Sequence, residues 1–204
     1  SPSTAATFDS VSHIHGIKAV GTTILMGTHE GLFEYEAQNN MQPIGKDPFD
    51  IMGLDANGTT LFASGHPSAN SKLPNPLGLL RSSDGGKTWK KVLYVNDQTG
   101  CADLVVEPGN PSVLYAGTWR LIRTPYSLES GGEGSGLWKS TDHGTTWANL
   151  TDFLPTIGVS GIAVDYANSN IVYISTGDEE GSDSYSSGIF KSTDGGLTWS
   201  ATGF

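Results

Sequence analysis

Four histidines near the start of the chain have the types and spacing that a metal site needs. His13 and His15 are two residues apart, so on a strand they would share one face. His29 and His66 each follow a similar run of apolar and small residues, which indicates equivalent positions. Because neutral imidazole is a common ligand of divalent transition metals, the sequence predicts such a metal site from His13, His15, His29 and His66. The alternative is that each ring hydrogen-bonds to nearby loop backbone.

A second group of aromatic and charged residues could bind an organic ligand. Aromatic rings stack on sugars or anchor proteins, and their polar neighbours fix the orientation of the ligand. The ligand-binding candidates are Trp119, Arg120, Arg123, Tyr126, Asp178 and Glu179. The acidic run that includes Asp178 and Glu179 could also supply oxygens to calcium, but it lacks the full spacing of a calcium loop and fits a solvated charged loop equally well.

The elements that must position these residues are repeated along the chain. Near-copies of one motif occupy Arg81–Trp89, Lys139–Trp147 and Lys191–Trp199, and each follows a glycine and two apolar residues. A degenerate further copy, Gly31–Tyr35, lacks the aspartate and the tryptophan. Such internal similarity is typical of repeat architectures.

Each repeat contains short runs of β-branched and aromatic residues that predict strands. Two such runs precede each copy and one follows each tryptophan, which gives four strands over about 50 residues. The sequence therefore predicts an all-β fold, a β-propeller with four blades of four antiparallel strands. We expect one domain over residues 1–204, with blades at about 13–47, 48–96, 101–154 and 159–204. A two-sheet sandwich would also have many short strands, but not a fixed order of strand types.

The repeated motif has a structural interpretation. The aspartates are placed to accept backbone N–H bonds across a turn whose glycines can take a positive φ, and the tryptophans are expected to pack against the adjacent blade. The motif residues assigned this role are Asp84, Trp89, Asp142, Trp147, Asp194 and Trp199.

Residues 1–12 include a strand-like segment, Ala6–Ser12, which we expect to serve as a closing or additional outer strand. If the blades close into a ring, no sheet edge remains open. We therefore favour a monomer, and the alternative is a homodimer that joins two open sets of blades.

Composition and charge limit the classes of function. The chain has 21 acidic and 11 basic side chains and a net charge of −10, which argues against sequence-independent nucleic-acid binding. No apolar run approaches the roughly 18 residues of a membrane helix, so no membrane span is expected. The single cysteine, Cys101, cannot form an intramolecular disulfide. No signal peptide is recognisable at the N-terminus, so we expect a mature or trimmed chain.

These motifs resemble the Asp-box, or BNR repeat, of sialidase-like β-propellers. Residues 13–91, with His13-Ile-His-Gly16, are similar to bacterial exported BNR-repeat proteins that carry a glycosyl hydrolase label, and residues 94–147 resemble sortilin-like propellers. The tail resembles a further secreted BNR group. The resemblance implies a secreted or periplasmic protein whose boxes lie opposite the active-site face, with His143 a solvated turn residue. Because the likeness changes near residues 92 and 155, we also expect a fragment or a chimera.

The resemblance implies two functions from different classes. A sialidase-like exo-glycosidase would hold its substrate carboxylate with three arginines, but Arg81 adjoins an Asp-box, which leaves Arg120 and Arg123. No carboxylate spacing singles out a catalytic pair for a glycoside hydrolase. We therefore favour a non-catalytic binding or scaffold propeller that presents loops to a glycan or protein partner. Glycoside hydrolysis is the alternative, and a chain assembled without a natural function is a third.

Overall fold

The computed structural model describes residues 6–7, 11–36, 40–68, 71–73, 76–123, 125–151, 158–177 and 188–203. These residues form four antiparallel sheets and contain no helix, so none of the described segments is a helix that could cross a membrane. The all-β propeller class predicted from the sequence is confirmed by these blade sheets. The chain divides into two compact units, Ser1–Tyr94 and Val95–Phe204. That all four blades form a single domain stays a prediction.

Blade 1 is an antiparallel meander with one added strand at its outer edge. Strand β1 (Ala6–Thr7) pairs with the last strand of the blade, with Ala6 opposite Met41. Of the two roles predicted for this segment, closing strand and additional outer strand, its described part has the second in blade 1, because the last strand of the blade offers unpaired backbone groups next to it. The remaining strands, in spatial order from the inner edge, are β2 (Ile14–Val20), β3 (Thr23–Thr28), β4 (Gly31–Tyr35) and β5 (Asn40–Ile44).

Blade 2 completes the first unit. Its strands, also in spatial order, are β6 (Phe49–Asn57), β7 (Thr60–Pro67), β8 (Leu79–Ser82) and β9 (Lys90–Leu93). Leucines of blade 1, Leu25 and Leu32, share a buried core with Phe49 and Ile51 of blade 2. At Gly27 a Cβ atom would lie 2.6 Å from Ile51 Cγ2, so the glycine allows the two blades to pack closely.

Blade 3 begins the second unit and carries an extra hairpin. Its second strand is longer than the others, and the part beyond the blade pairs with a short additional strand. The strands are β10 (Thr99–Val106), β11 (Leu114–Arg123), the additional β12 (Leu128–Ser130), β13 (Gly136–Ser140) and β14 (Ala148–Asn149).

Blade 4 packs on blade 3 through a second apolar core. Tyr115 and Leu137 of blade 3 are fully buried against Val159, Val172 and Ile174 of blade 4. The strands of blade 4 are β15 (Gly158–Val164), β16 (Val172–Gly177), β17 (Gly188–Ser192) and β18 (Ser200–Ala201).

The inner strand of every blade contains a β-bulge at the same place. In β2, for example, Ile14 pairs with Thr28 and Gly16 pairs with Gly27, so the register skips His15. A bulge leaves the extra residue outside the ladder and re-aims its side chain. The skipped residues are all exposed, and they are His15, Met52, Ala102 and Ser160.

The Asp-box turns are held by a repeated hydrogen-bond pattern. In the first box, the Oγ of buried Ser82 donates to Asp84 Oδ1 at 2.7 Å and accepts the buried Gly86 N–H at 2.8 Å. Thr88 donates from its hydroxyl and its amide to the Asp84 carboxylate. These two bonds, with the Ser82 hydroxyl, lower the pKa of Asp84 to about 2.

The other two boxes repeat this pattern. Hydrogen bonds from Thr198 and Ser192 lower the pKa of Asp194 to about 2. Those from Thr146 and Ser140 hold the pKa of Asp142 well below its usual range.

The Asp-boxes of blades 2 and 4 each pack against the preceding blade of the same unit. Tyr115 Oη and Lys139 Nζ of blade 3 donate to Gly195 O of the last box, at 3.2 and 3.0 Å. Trp199 packs on the core that these blades share, as Trp89 does in the first unit. The boxes therefore join neighbouring blades as well as closing turns.

Candidate functional site

Three of the four predicted histidines meet at one end of blade 1. His13 directly precedes β2, His15 is the bulged residue of β2, and His29 directly follows β3. His29 Nε2 lies 2.8 Å from His13 Nδ1 and 3.3 Å from His15 Nε2. One ring nitrogen from each of the three residues lies within 4.8 Å of the other two. This group is called the histidine cluster below.

The fourth predicted histidine lies outside the histidine cluster. His66 belongs to strand β7 and is exposed. Thr28 pairs with Ile14 and Gly65 pairs with Ile51, which are the last residues before the bulges of β2 and β6. His29 and His66 directly follow Thr28 and Gly65, so His66 is the blade 2 equivalent of His29. Equivalent positions in neighbouring blades are thus not adjacent side chains here.

An aspartate that the sequence argument did not select contacts the histidine cluster. Asp50 Oδ1 lies 2.8 Å from His29 Nδ1. This oxygen is buried, and its contact with His29 does not meet hydrogen-bonding geometry although the distance is short. Asp50 occupies in blade 2 the position of His13 in blade 1, as the alignment of Asp50-Ile51 with His13-Ile14 would have shown.

A carboxylate fixes the segment that carries His13. Glu30 accepts the Ser12 hydroxyl at 2.7 Å and also faces the Ser12 amide. Burial by itself raises the pKa of Glu30, but the hydrogen bonds from Ser12 and from the Glu30 and Thr28 groups outweigh it and lower the pKa. The ionised carboxylate thus holds the start of β2 next to the end of β3.

The histidine cluster borders an open concave surface. A hollow of about 560 Å³ is lined by Val11, Ser12, His13, Ile14 and His15. The cluster is therefore reachable from solvent, which suits a site that exchanges small ligands.

Trp119, Arg120 and Tyr126, three candidates of the second group, lie on the β11–β12 hairpin. Strand β11 continues through Trp119 and Arg120 to Arg123. Tyr126 lies in the connection between the two strands, and its side chain is 98% exposed. The hairpin therefore presents an aromatic ring to solvent at the end of an ordered strand.

Polar contacts fix the base of the hairpin. Trp119 Nε1 donates to Ser130 Oγ at 2.9 Å across the two strands. Arg120 Nε donates to Gln98 Oε1 at 2.9 Å, and Arg120 Nη1 donates to Gly131 O at 3.3 Å. The Trp119 ring also lies against Gly158, where a Cβ atom would approach it to 2.6 Å.

The remaining candidates are not placed in either group. The backbone of Arg123 ends β11, but its side chain lies outside the described residues. Asp178 and Glu179 also lie outside the described residues.

The comparisons with known proteins agree with the repeats. The BNR/Asp-box repeat family matches residues 80–91 and 190–201. The chain is 28% identical to the xyloglucanase Xgh74A of Acetivibrio thermocellus over an alignment of 208 positions, which covers 88% of this chain and 22% of that protein. The chain thus spans about a fifth of the length of this relative.

Solved structures show the same fold. The Niastella koreensis GH74 enzyme matches with a TM-score of 0.60 and 23% identity over 92% of this chain and 29% of its own. The GH74 xyloglucanase of Xanthomonas campestris matches with a TM-score of 0.60 and 18% identity, over 99% of this chain and 32% of its own. Likeness to sialidases and sortilins in particular stays a prediction. The chain therefore contains BNR/Asp-box repeats, has a propeller fold and is similar in sequence to xyloglucanases.

Proposed function

We propose that the chain is a glycan-binding part of a secreted propeller protein, and that its ligand is a β-glucan of the xyloglucan type. The observation that carries this proposal is the 98% exposed ring of Tyr126 on the β11–β12 hairpin. An exposed aromatic side chain in the connection of a strand hairpin offers an apolar face on which a sugar ring can stack. The similarity to xyloglucanases supports a glucan as the sugar.

The polar groups around the hairpin suit a neutral sugar. Arg120 is held by Gln98 and Gly131, so its guanidinium is oriented within the base of the hairpin. A sialic acid would need several converging arginines for its carboxylate. The net charge of −10 also favours a neutral ligand over an anionic one.

Any catalytic activity belongs, in this proposal, to a longer protein. The chain covers 22% of the matched xyloglucanase, and this share supplies a binding surface, while hydrolysis would need carboxylates placed on both sides of the glycosidic bond. If the protein is an enzyme, glycoside hydrolysis is the class that its relatives favour. A monomeric state is part of this proposal.

Titration calorimetry with xyloglucan oligosaccharides tests the proposal. We expect the chain to bind them, and we expect Tyr126→Ala to weaken binding by about tenfold, the equivalent of about 1.4 kcal/mol. The matched control is Tyr166→Ala. Tyr166 is 92% exposed, but it lies in the turn between β15 and β16, at the end of these strands that is far from Trp119.

The outcomes separate the alternatives. Equal binding by wild type and Tyr126→Ala would reject the hairpin as the sugar site, and no binding by wild type would reject the proposal itself. Preferential binding of 3′-sialyllactose would favour the sialidase-like alternative instead.

A further inference from the structure

We propose that the histidine cluster, His13, His15 and His29, is a binding site for one divalent transition metal ion of the zinc type. The site lies in the first unit, and it is independent of the glycan proposal, which concerns the second unit. The ligand atoms are His13 Nδ1, His15 Nε2 and His29 Nε2.

Two of the distances between these nitrogens lie near the separation of two ligands on one metal ion. Zinc binds histidine nitrogen at about 2.0–2.1 Å, so two ligands of a tetrahedral ion lie about 3.3 Å apart. His29 Nε2 lies 2.8 Å from His13 Nδ1 and 3.3 Å from His15 Nε2. His13 and His15 are exposed, so small rotations of their side chains can complete the geometry.

Hydrogen bonding alone does not explain the arrangement. His29 Nε2 faces two other ring nitrogens at once, but a ring nitrogen carries either one N–H or one lone pair in the ring plane. At most one of these two contacts can therefore be a well-formed hydrogen bond. A metal ion between the rings would accept the lone pairs of all three.

Asp50 favours the tautomer of His29 that metal binding needs, with the proton on Nδ1. Asp50 Oδ1 lies 2.8 Å from His29 Nδ1 and favours a proton on that nitrogen, which leaves the Nε2 lone pair for the metal. A carboxylate next to the ring nitrogen that does not bind the metal commonly orients a histidine ligand and strengthens its metal binding. Asp50 Oδ1 is buried without a hydrogen bond, and an imidazole polarised by a metal would pair with it more strongly.

Three protein ligands leave the fourth position of a tetrahedral ion open. Sites of this kind hold a water molecule or a small oxygen ligand in that position. The hollow beside His13 and His15 gives such a ligand access to the ion. Three neutral nitrogens also suit copper and nickel, so the test includes more than one metal.

The test is calorimetric titration of the whole chain with zinc chloride at neutral pH, together with visible absorption spectra after addition of cobalt(II). We expect one metal ion per chain and the intense absorption of tetrahedral cobalt. His15→Ala and His29→Ala should each lose more affinity than the about 10–100-fold that we expect for Asp50→Asn. Affinity should fall as the pH is lowered, because protonated imidazole cannot bind a metal.

The matched control is His66→Ala, which removes an exposed histidine at the equivalent position of blade 2 and should bind zinc like the wild type. His15→Gln serves in place of His15→Ala if the alanine variant melts below the wild type. Equal zinc affinity in wild type, His15→Ala and His29→Ala would overturn the proposal. So would a wild type that binds no zinc.

Discussion

Replacement of Ser82 by alanine tests the account of the Asp-box. Ser82 is 1% exposed, and its Oγ accepts the Gly86 N–H at 2.8 Å inside the protein. Alanine removes that acceptor and leaves a buried amide unpaired, which costs about 1–3 kcal/mol. The lost bond to Asp84 adds little, because that side chain is exposed and water replaces the hydroxyl. We therefore expect the free energy of unfolding to fall by about 1–3 kcal/mol.

Urea unfolding followed by circular dichroism measures this difference. The control is Ser83→Ala, since Ser83 is the next residue, has the same side chain and is exposed. A surface change of this kind should alter the free energy of unfolding by less than about 0.5 kcal/mol. Ser140→Ala and Ser192→Ala repeat the experiment in the other two boxes, where the same buried glycine amides are bound at 2.8 Å. Equal stability of Ser82→Ala and Ser83→Ala would refute the reasoning.

Three further predictions concern stability. The pKa values of Asp84 and Asp194 lie at about 2, below the usual 3.8. Their stabilising effect is therefore present above about pH 4 and should be lost as the pH falls towards 2. Thermal melts across this pH range measure the loss. His143 has a φ of 59°, so His143→Val should lower the free energy of unfolding by about 1–2 kcal/mol while His143→Gly should not lower it, as urea titrations can check. Gly27→Ala should cost about 1–3 kcal/mol through overlap with Ile51, and an unchanged melting temperature would contradict this.

The sequence predicted the strand types well because apolar alternation and the box motif mark them. The run Ile14–Val20 by its composition predicts an inner strand in blade 1, and β2 has the same bounds in the structure. In blades 3 and 4 the apolar runs of the inner strands begin at Leu104 and Ile162 in the sequence, but β10 and β15 begin at Thr99 and Gly158. The added residues are small and include glycines, so their composition resembles a turn although the backbone is paired.

The candidate sites were predicted in part. The sequence selected the three residues of the histidine cluster, but their proximity depends on the pairing of β2 with β3 and on a bulge, neither of which the spacing of histidines reveals. It also grouped His66 with them, because His66 occupies a position equivalent to that of His29. That grouping failed because equivalent positions in a repeat need not touch. Asp50 was missed because its contact with His29 joins two blades, and a single sequence shows no pairing between them.

The docking of a box on the preceding blade has a consequence for how such chains grow by gene duplication. The box contacts its neighbour largely through glycines and backbone atoms: Gly86 lies against Leu32 of blade 1, and Gly196 lies against Leu150 of blade 3. The attaching part is thus encoded within each repeat, whereas the receiving surface supplies an apolar side chain of suitable size and, in the second unit, the donors of Tyr115 and Lys139. A duplicated repeat would carry its own means of attachment and could join a neighbour whose sequence had already diverged.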